Sequence, residues 1–366
     1  MGGSQALPAD LIGPGPDEVA AALEAGLHIP GARMRAGQLL QWVYGRRVFD
    51  FDRMTNLPAD LRGRLPGVFR LALPECVRVQ GSGDSTRKYL FRMADGQLVE
   101  SVLIPASPAL YGERSDRLTL CVSSQVGCAY GCKFCASGLD GWKRNLTPGE
   151  IVGQVLAAEG LSGERVSNLV FMGMGEPFAN FQNLLAAIRV LNAPWGCGIG
   201  ARRITVSTSG LVPRIRDYAD QPLQLRLAIS LHGATDDVRS RIMPVNARYP
   251  LRELTAACAY FTHRKKQHIT FEFILIDGVN CTPAQAAALA AIAGPLRAKV
   301  NLIPYNSVPG LPWVRPSETA QDTFLGLLRR KGIQATLRRE KGHDIAAACG
   351  QLRLQTALSN EMAGAA

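Results

Sequence analysis

From Leu118 to Ile303 the chain alternates strand-like and helix-like stretches, and nothing else in it limits the fold as strongly. Strands read at 118–124, 168–172, 204–207, 225–230, 270–275 and 300–303, with helices between them, one starting at Pro148 and another over 181–191. Apolar strands joined by helical crossovers imply a parallel sheet covered on its faces. Six such βα units fall short of the eight that close a TIM barrel, so the expected α/β fold is a partial (β/α)6 TIM-like barrel, open on one side. Thr147-Pro148-Gly149-Glu150 and Thr282-Pro283-Ala284-Gln285 each read as a capping box with proline at the first helical position.

Two smaller units precede the barrel. The first 16 residues are rich in Gly, Pro and Ala and read as loosely attached. From Asp17 the periodicity is helical, with Val19, Leu23 and Leu27 on one face and Leu39, Leu40 and Val43 on another. Arg33, Arg35, Arg46, Arg47 and Arg53 punctuate this segment beside Trp42 and Tyr44. Guanidinium groups that meet phosphate and aromatics that stack on bases are expected there, against the plainer reading of a solvated face with Trp42 in the core. Residues 86–92 and 97–104 then alternate as β-strands about Asp95-Gly96, a hairpin turn signal. The expected divisions are 17–85, a helical accessory domain; 86–113, hairpin and linker; and 114–353, the core. Residues 106–116 read as an insertion.

A net charge of +11 over 366 residues favours a polyanionic partner. The N-terminal stretch fits neither a signal peptide nor a membrane span, so the cytoplasm and no membrane association are expected.

Within the first strand-to-helix loop stand Cys128, Cys132 and Cys135, three of nine cysteines at C-x3-C-x2-C spacing. Gly127 and Gly131 let the backbone curl closely round a small object, which suits a metal-sulfur cluster held by three thiolates. Structural zinc is the competitor, but it wants four ligands, and the nearby candidate for a fourth, Cys121, lies back on the preceding strand. Structural disulfides do not suit a chain with no secretory segment.

C-x3-C-x2-C with Phe134 before the last cysteine resembles the signature of radical S-adenosylmethionine (SAM) enzymes. The longer string from Cys121 to Cys135, followed by Lys143-Arg144-Asn145-Leu146, narrows the resemblance to the RlmN/Cfr family of RNA adenosine methyltransferases. Arg35 to Leu39 and Met54 to Pro58 resemble that family's N-terminal accessory domain, which favours RNA contact there. The resemblance implies a radical-SAM barrel whose open side admits large RNA, one [4Fe-4S] cluster with three cysteine ligands and SAM on its open iron. It implies methylation at C2 of the adenosine catalogued as 2503 in 23S rRNA, with adenosine 37 of tRNA as a second substrate. C8 methylation of the same 23S nucleotide, as in Cfr, is the near alternative. An inert RNA-binding protein with a structural cluster and a radical-SAM enzyme acting on a small molecule or peptide are the remoter ones. An electron donor such as flavodoxin and a monomeric state are expected.

The same resemblance assigns the site. Loops after the second, third, fourth and sixth strands carry Gly173-Met174-Gly175-Glu176-Pro177, Ser207-Thr208-Ser209-Gly210, Ser230-Leu231-His232 and Pro304-Tyr305-Asn306, each alone a weak signal for a turn or cap. Family positions matching Gly175, Glu176, Ser207, Ser230, Leu231, His232 and Asn306 contact SAM. Their glycines are expected to bring backbone close to the ligand, and Glu176 to accept from its ammonium group. Glu100, ordinarily a solvated strand residue, matches the family's proton acceptor. Near the C-terminus Asp344-Ile345-Ala346-Ala347-Ala348-Cys349-Gly350-Gln351-Leu352 makes Cys349 the cysteine that carries a methyl group, with Cys121 the thiol that later forms a transient disulfide with it. The preceding Glu340-Lys341-Gly342-His343 departs from the Thr-Arg-Gly-Asp usual in RlmN proteins and touches no cysteine.

Overall fold

The computed structural model describes residues 8–338 apart from 84, 107–116, 140 and 309; Cys349 and nearly all of the expected insertion lie outside the described residues. One ten-stranded sheet organises the molecule. Its antiparallel end is β1 (Glu75–Gly81), β2 (Arg87–Arg92) and β3 (Leu98–Pro105). β3 pairs antiparallel with β4 (Leu118–Cys121), and from there seven strands run parallel. They continue through β5 (Asn168–Phe171), β6 (Ile204–Thr208), β7 (Arg226–Ser230), β8 (Thr270–Leu275), β9 (Lys299–Pro304) and β10 (Ala335–Leu337), side by side in chain order.

The six expected parallel strands are all present, and β10 adds a short seventh. Its three residues are too few to show alternation. β1 was likewise illegible, because it lies at the sheet edge with Val79 half exposed, so its inward and outward residues differ little in polarity. The first parallel strand stops at Cys121 rather than Ser124, since the chain peels off there into a separate ribbon of 125–127 against 142–145.

Period two divides each parallel strand. On β8, Phe271, Phe273 and Leu275 are fully buried, and Phe273 stacks on Phe324 of the helix Glu318–Arg330 at 5.7 Å between centroids. Each such side chain contributes about 1.5–3 kcal/mol by leaving water. The alternate residues, Thr270, Glu272 and Ile274, face the other way, where Glu272 pairs with Asn301 of β9, whose Nδ2 donates to its carboxylate at 2.7 Å. The inner face of the curved sheet therefore carries a polar pair at mid-strand, with Ile274 and Ile303 paired nearer the C-terminal strand ends.

The helix Pro148–Ser162 starts with the expected capping box: Thr147 Oγ1 accepts from the Glu150 amide at 3.2 Å, and Glu150 accepts from the Thr147 amide at 2.9 Å. At Pro283–Ala293 only half the box forms, because Gln285 turns away to Ala234 N and Thr235 Oγ1, joining two loops at the strand ends.

Ahead of the sheet lie α1 (Pro16–Leu27), α2 (Ala32–Leu40), a π-helical turn over 41–45 and α3 (Ala59–Arg64). Trp42 and Tyr44 are buried, which overturns the expectation that they stack on RNA bases. Trp42 Nε1 donates to Asn56, and the Tyr44 hydroxyl accepts from Gly13 N. Arg47 is also removed from the proposed surface, for its guanidinium lies 2.6 Å from the buried Glu159 carboxylate on the helix Pro148–Ser162. Arg46 and Arg53 remain exposed, with the Arg46 guanidinium stacked over Trp42 at 4.1 Å. Among the described residues no helix is long and apolar enough to cross a membrane.

Candidate active site

After the ribbon strand 125–127 the chain enters the cysteine loop. Gly127 has φ +71°, and a Cβ there would fall 1.8 Å from the carbonyl oxygen of Gly141, so only glycine permits this crossing. The next residue, Cys128, donates its amide to that same oxygen at 3.1 Å. Lys133 is held at both ends, its amide by Ile242 O at 2.9 Å and its carbonyl by Trp313 Nε1 at 2.7 Å. Phe134 meets the edge of His232 at 4.8 Å. The loop is thus fixed from three sides, with its three cysteines half-buried.

Burial pushes the Cys128 thiol up to about 12 and raises Cys132 and Cys135 as well, with Cys132 lifted further by its two neighbouring thiols. Three sulfurs close enough to repel when ionised need a shared positive group to exist as thiolates, which a cluster's irons provide. The described residues contain no three His, Cys, Asp or Glu side chains gathered round one metal ion. Cluster ligands stand on separate irons and so lie farther apart than ligands to a single zinc. Cys121, the fourth zinc candidate, senses Arg338 and Glu100 rather than the loop thiols. The donor set fits a [4Fe-4S] cluster and not a four-cysteine zinc site.

The glycines after β5 are also required by protein packing. A Cβ on Gly173 would meet Ser123 Oγ at 2.7 Å, and one on Gly175, at φ +98°, would meet Gln125 Cβ at 2.5 Å. They bring the loop against the segment that feeds the cysteines, locking the two together. Gln125 completes the lock: its Oε1 accepts from Glu176 N at 2.8 Å and its Nε2 donates to Asn145 at 2.7 Å. Glu176 is buried, and burial raises its carboxyl although backbone donors oppose this. Its oxygens accept from Phe178 N at 3.0 Å and Ser209 N at 2.7 Å, so the residue first of all ties the β5 and β6 loops together.

Across the mouth, Ser207 and Ser230 hydroxyls lie 3.3 Å apart on neighbouring strands. Leu231 is fully buried. His232 adopts φ +58° and takes Ile274 N–H on Nδ1 at 3.0 Å, which leaves the proton on Nε2. Burial, aided by Arg239, pulls its pKa down to about 3, so the imidazole is neutral. Asn306 follows β9 and accepts from Arg315 at 3.4 Å. Arg239, which sequence reasoning missed, is fully buried and donates to the carbonyls of Leu231 and Ser209 and to Asn246. In Asp236-Asp237-Val238-Arg239-Ser240-Arg241 it has the look of a solvated helix charge, and no sequence signal separates it from Arg241.

On the inner face the β-register lines up Lys88 of β2, Val102 of β3 and Cys121 of β4 as successive cross-strand partners. Glu100 lies two residues from Val102 on the same face. It is buried rather than solvated, with Lys88 Nζ 3.9 Å from Oε1. Burial pushes the Cys121 thiol up to about 11, Arg338 acting against this and Glu100 with it.

This arrangement has counterparts among known proteins. The Radical SAM superfamily model matches residues 122–282, and the model for the ribosomal RNA large subunit methyltransferase N-terminal domain matches residues 28–71. A probable dual-specificity RNA methyltransferase RlmN of Akkermansia muciniphila is 55% identical over 323 residues, covering 88% of this chain and 90% of its own. One from Opitutus terrae is 53% identical over 342 residues, 91% of each chain. The crystal structure of a radical SAM methyltransferase from Sphaerobacter thermophilus superimposes with a TM-score of 0.87 at 45% identity, over 94% of this chain and 99% of that one.

Proposed function

Because the chain belongs to the RlmN family of radical-SAM RNA methyltransferases, we propose that it methylates C2 of adenosine 2503 in 23S rRNA and C2 of adenosine 37 in tRNA. The observation that carries this reading is the diagonal placement of Cys121 and Glu100 on the inner face, at the same end of the sheet as the three-cysteine loop. An enzyme that only cleaves SAM has no use for that pair.

Cys128, Cys132 and Cys135 would hold the [4Fe-4S] cluster. When bound, the cluster supplies the electron that splits SAM into methionine and a hydrogen-abstracting radical. Gly175, Glu176, Ser207, Ser230, Leu231, His232 and Asn306 line the SAM side of the mouth: Glu176 keeps lone pairs for the substrate ammonium, and neutral His232 presents Nε2–H. Cys349 accepts a methyl group from one SAM by displacement; after that S-methyl gives up one hydrogen atom, its carbon bonds to the base and a methylene bridge links Cys349 to the RNA. The base carbon, lying between two ring nitrogens, is too electron-poor to take an electrophilic methyl directly. The adduct then gives up one electron, and Glu100 receives the proton lost from the base carbon. Cys121 thiolate then attacks the Cys349 sulfur and breaks its bond to the methylene carbon, which takes up a proton to become the methyl group, leaving a transient Cys121–Cys349 disulfide. Its thiol must lose a proton to do so, and Arg338 is the cation that favours the thiolate.

RNA would rest on the open side of the barrel and on exposed cations of the helical unit within 17–85, such as Arg46 and Arg53. Residues 86–113 then serve as hairpin and linker, and 114–353 as the catalytic core. A flavodoxin-like electron donor, a monomer and a cytoplasmic location complete the proposal. Mass spectrometry of 23S rRNA and tRNA from cells with and without the gene tests it. Loss of 2-methyladenosine on deletion is expected; loss of 8-methyladenosine instead would transfer the chain to C8 chemistry, and no change would overturn the reading.

A further inference from the structure

Lys88 is fully buried, an expensive position for an ammonium group, and its place in the sheet gives that burial a purpose. It is the cross-strand partner of Val102, which is in turn the partner of Cys121, so Glu100 lies diagonal to both Lys88 and Cys121. Diagonal neighbours on one sheet face have Cα atoms about 7–8 Å apart, within reach of long side chains. The Lys88 Nζ to Glu100 Oε1 distance of 3.9 Å is that of an ion pair rather than a hydrogen bond. On the opposite face of β3, the next residue, Ser101, donates to neutral Gln154. Charged or titratable groups bearing on Glu100 include Lys88 from β2 and Cys121 from β4, with Arg338 bearing on Cys121.

We propose that Lys88 is a positioning residue that holds Glu100 as a carboxylate aimed into the mouth beside Cys121. A carboxylate buried alone takes up a proton and can then receive none from the RNA base; a cation a few ångströms away in the same dry environment keeps it ionised. Lys88 touches neither the base nor SAM in this scheme and acts through Glu100. The inference rests on Glu100 being the proton acceptor, and the experiment separates the two claims.

The test is single-turnover RNA methylation by reconstituted enzyme across a pH series, with SAM cleavage measured in parallel as a check on the assembled site. Glu100→Gln should abolish methylation at every pH while SAM cleavage persists. Lys88→Met should move the acid limb of the methylation rate upward by about one pH unit or more, and Lys88→Gln, which keeps a polar group without the charge, should do the same. Lys88→Arg should restore the wild-type limb. A Glu100→Gln enzyme with normal methylation would overturn the role of Glu100 itself. If Glu100→Gln is inactive but the neutral Lys88 variants lose rate equally at all pH values, or keep the wild-type limb, Lys88 is only structural and the inference fails.

Discussion

Arg47 joins the N-terminal helical unit to the barrel, and removing it should cost more than any exposed arginine. Its Nε donates to Glu159 Oε2 at 2.7 Å, and the Glu159 side chain is only 4% exposed. Breaking a buried pair by deleting one partner typically costs about 3–5 kcal/mol, because the remaining charge is left without compensation. Two contacts soften the loss here. Val166 N still donates to Glu159 Oε1 at 2.9 Å, and Arg165 lies 3.5 Å from Oε2, although that guanidinium is more than half exposed and therefore weak. Arg47→Met should accordingly destabilise by about 3 kcal/mol, the lower end of the range. Anaerobic urea unfolding should show this as an earlier transition, and the double variant Arg47→Met/Glu159→Leu should recover most of the loss, since two apolar groups can replace a buried pair at little cost. A loss under about 1 kcal/mol for Arg47→Met, or a double variant no better than the single, would refute the reasoning.

Gly175→Ala should disrupt the lock between the β5 loop and Gln125, since the new methyl overlaps Gln125 and the backbone has φ +98°; SAM cleavage by the reduced enzyme should fall sharply, and near-normal cleavage would contradict the close approach. Cys128→Ala, Cys132→Ala and Cys135→Ala should each lose the brown four-iron cluster on anaerobic reconstitution, whereas stoichiometric zinc without iron uptake would favour the competing metal. His232 has its folded pKa depressed to about 3, so its contribution to stability is present above about 6.5 and fades as pH falls toward 3. Replacing it with Asn should flatten the stability profile across that window, and an unchanged profile would mean that the imidazole is charged when folded.

Strand–helix alternation made the barrel legible because each parallel strand carries a buried outer row, as Phe271, Phe273 and Leu275 do on β8. Short or edge strands carry no such row, which hid β1 and β10. The cysteine loop was legible from spacing, but its supports were not. Gln125, Arg239 and Trp313 are distant in sequence from what they hold, and an isolated polar residue gives no clue to which carbonyl it will meet. Trp42 and Tyr44 misled for the opposite reason: aromatics between arginines suggest a nucleic-acid surface, yet here they anchor the helical unit. The glycines of Gly173-Met174-Gly175 stand out in the sequence, but nothing there shows that a Cβ on them would meet Ser123 and Gln125.

The central claim is that RNA is methylated through a covalent link to Cys349 which Cys121 resolves. The measurement that tests it most directly uses Cys121→Ala protein with SAM, reductant and RNA, followed by denaturation, nuclease trimming and peptide mass spectrometry. Methyl loading and bond formation to the base do not need Cys121, so a denaturant-stable protein–RNA adduct should accumulate, with one trimmed nucleotide on the peptide containing Cys349. A Cys121→Ala enzyme that turns over normally, or an adduct on any other residue, would contradict the account.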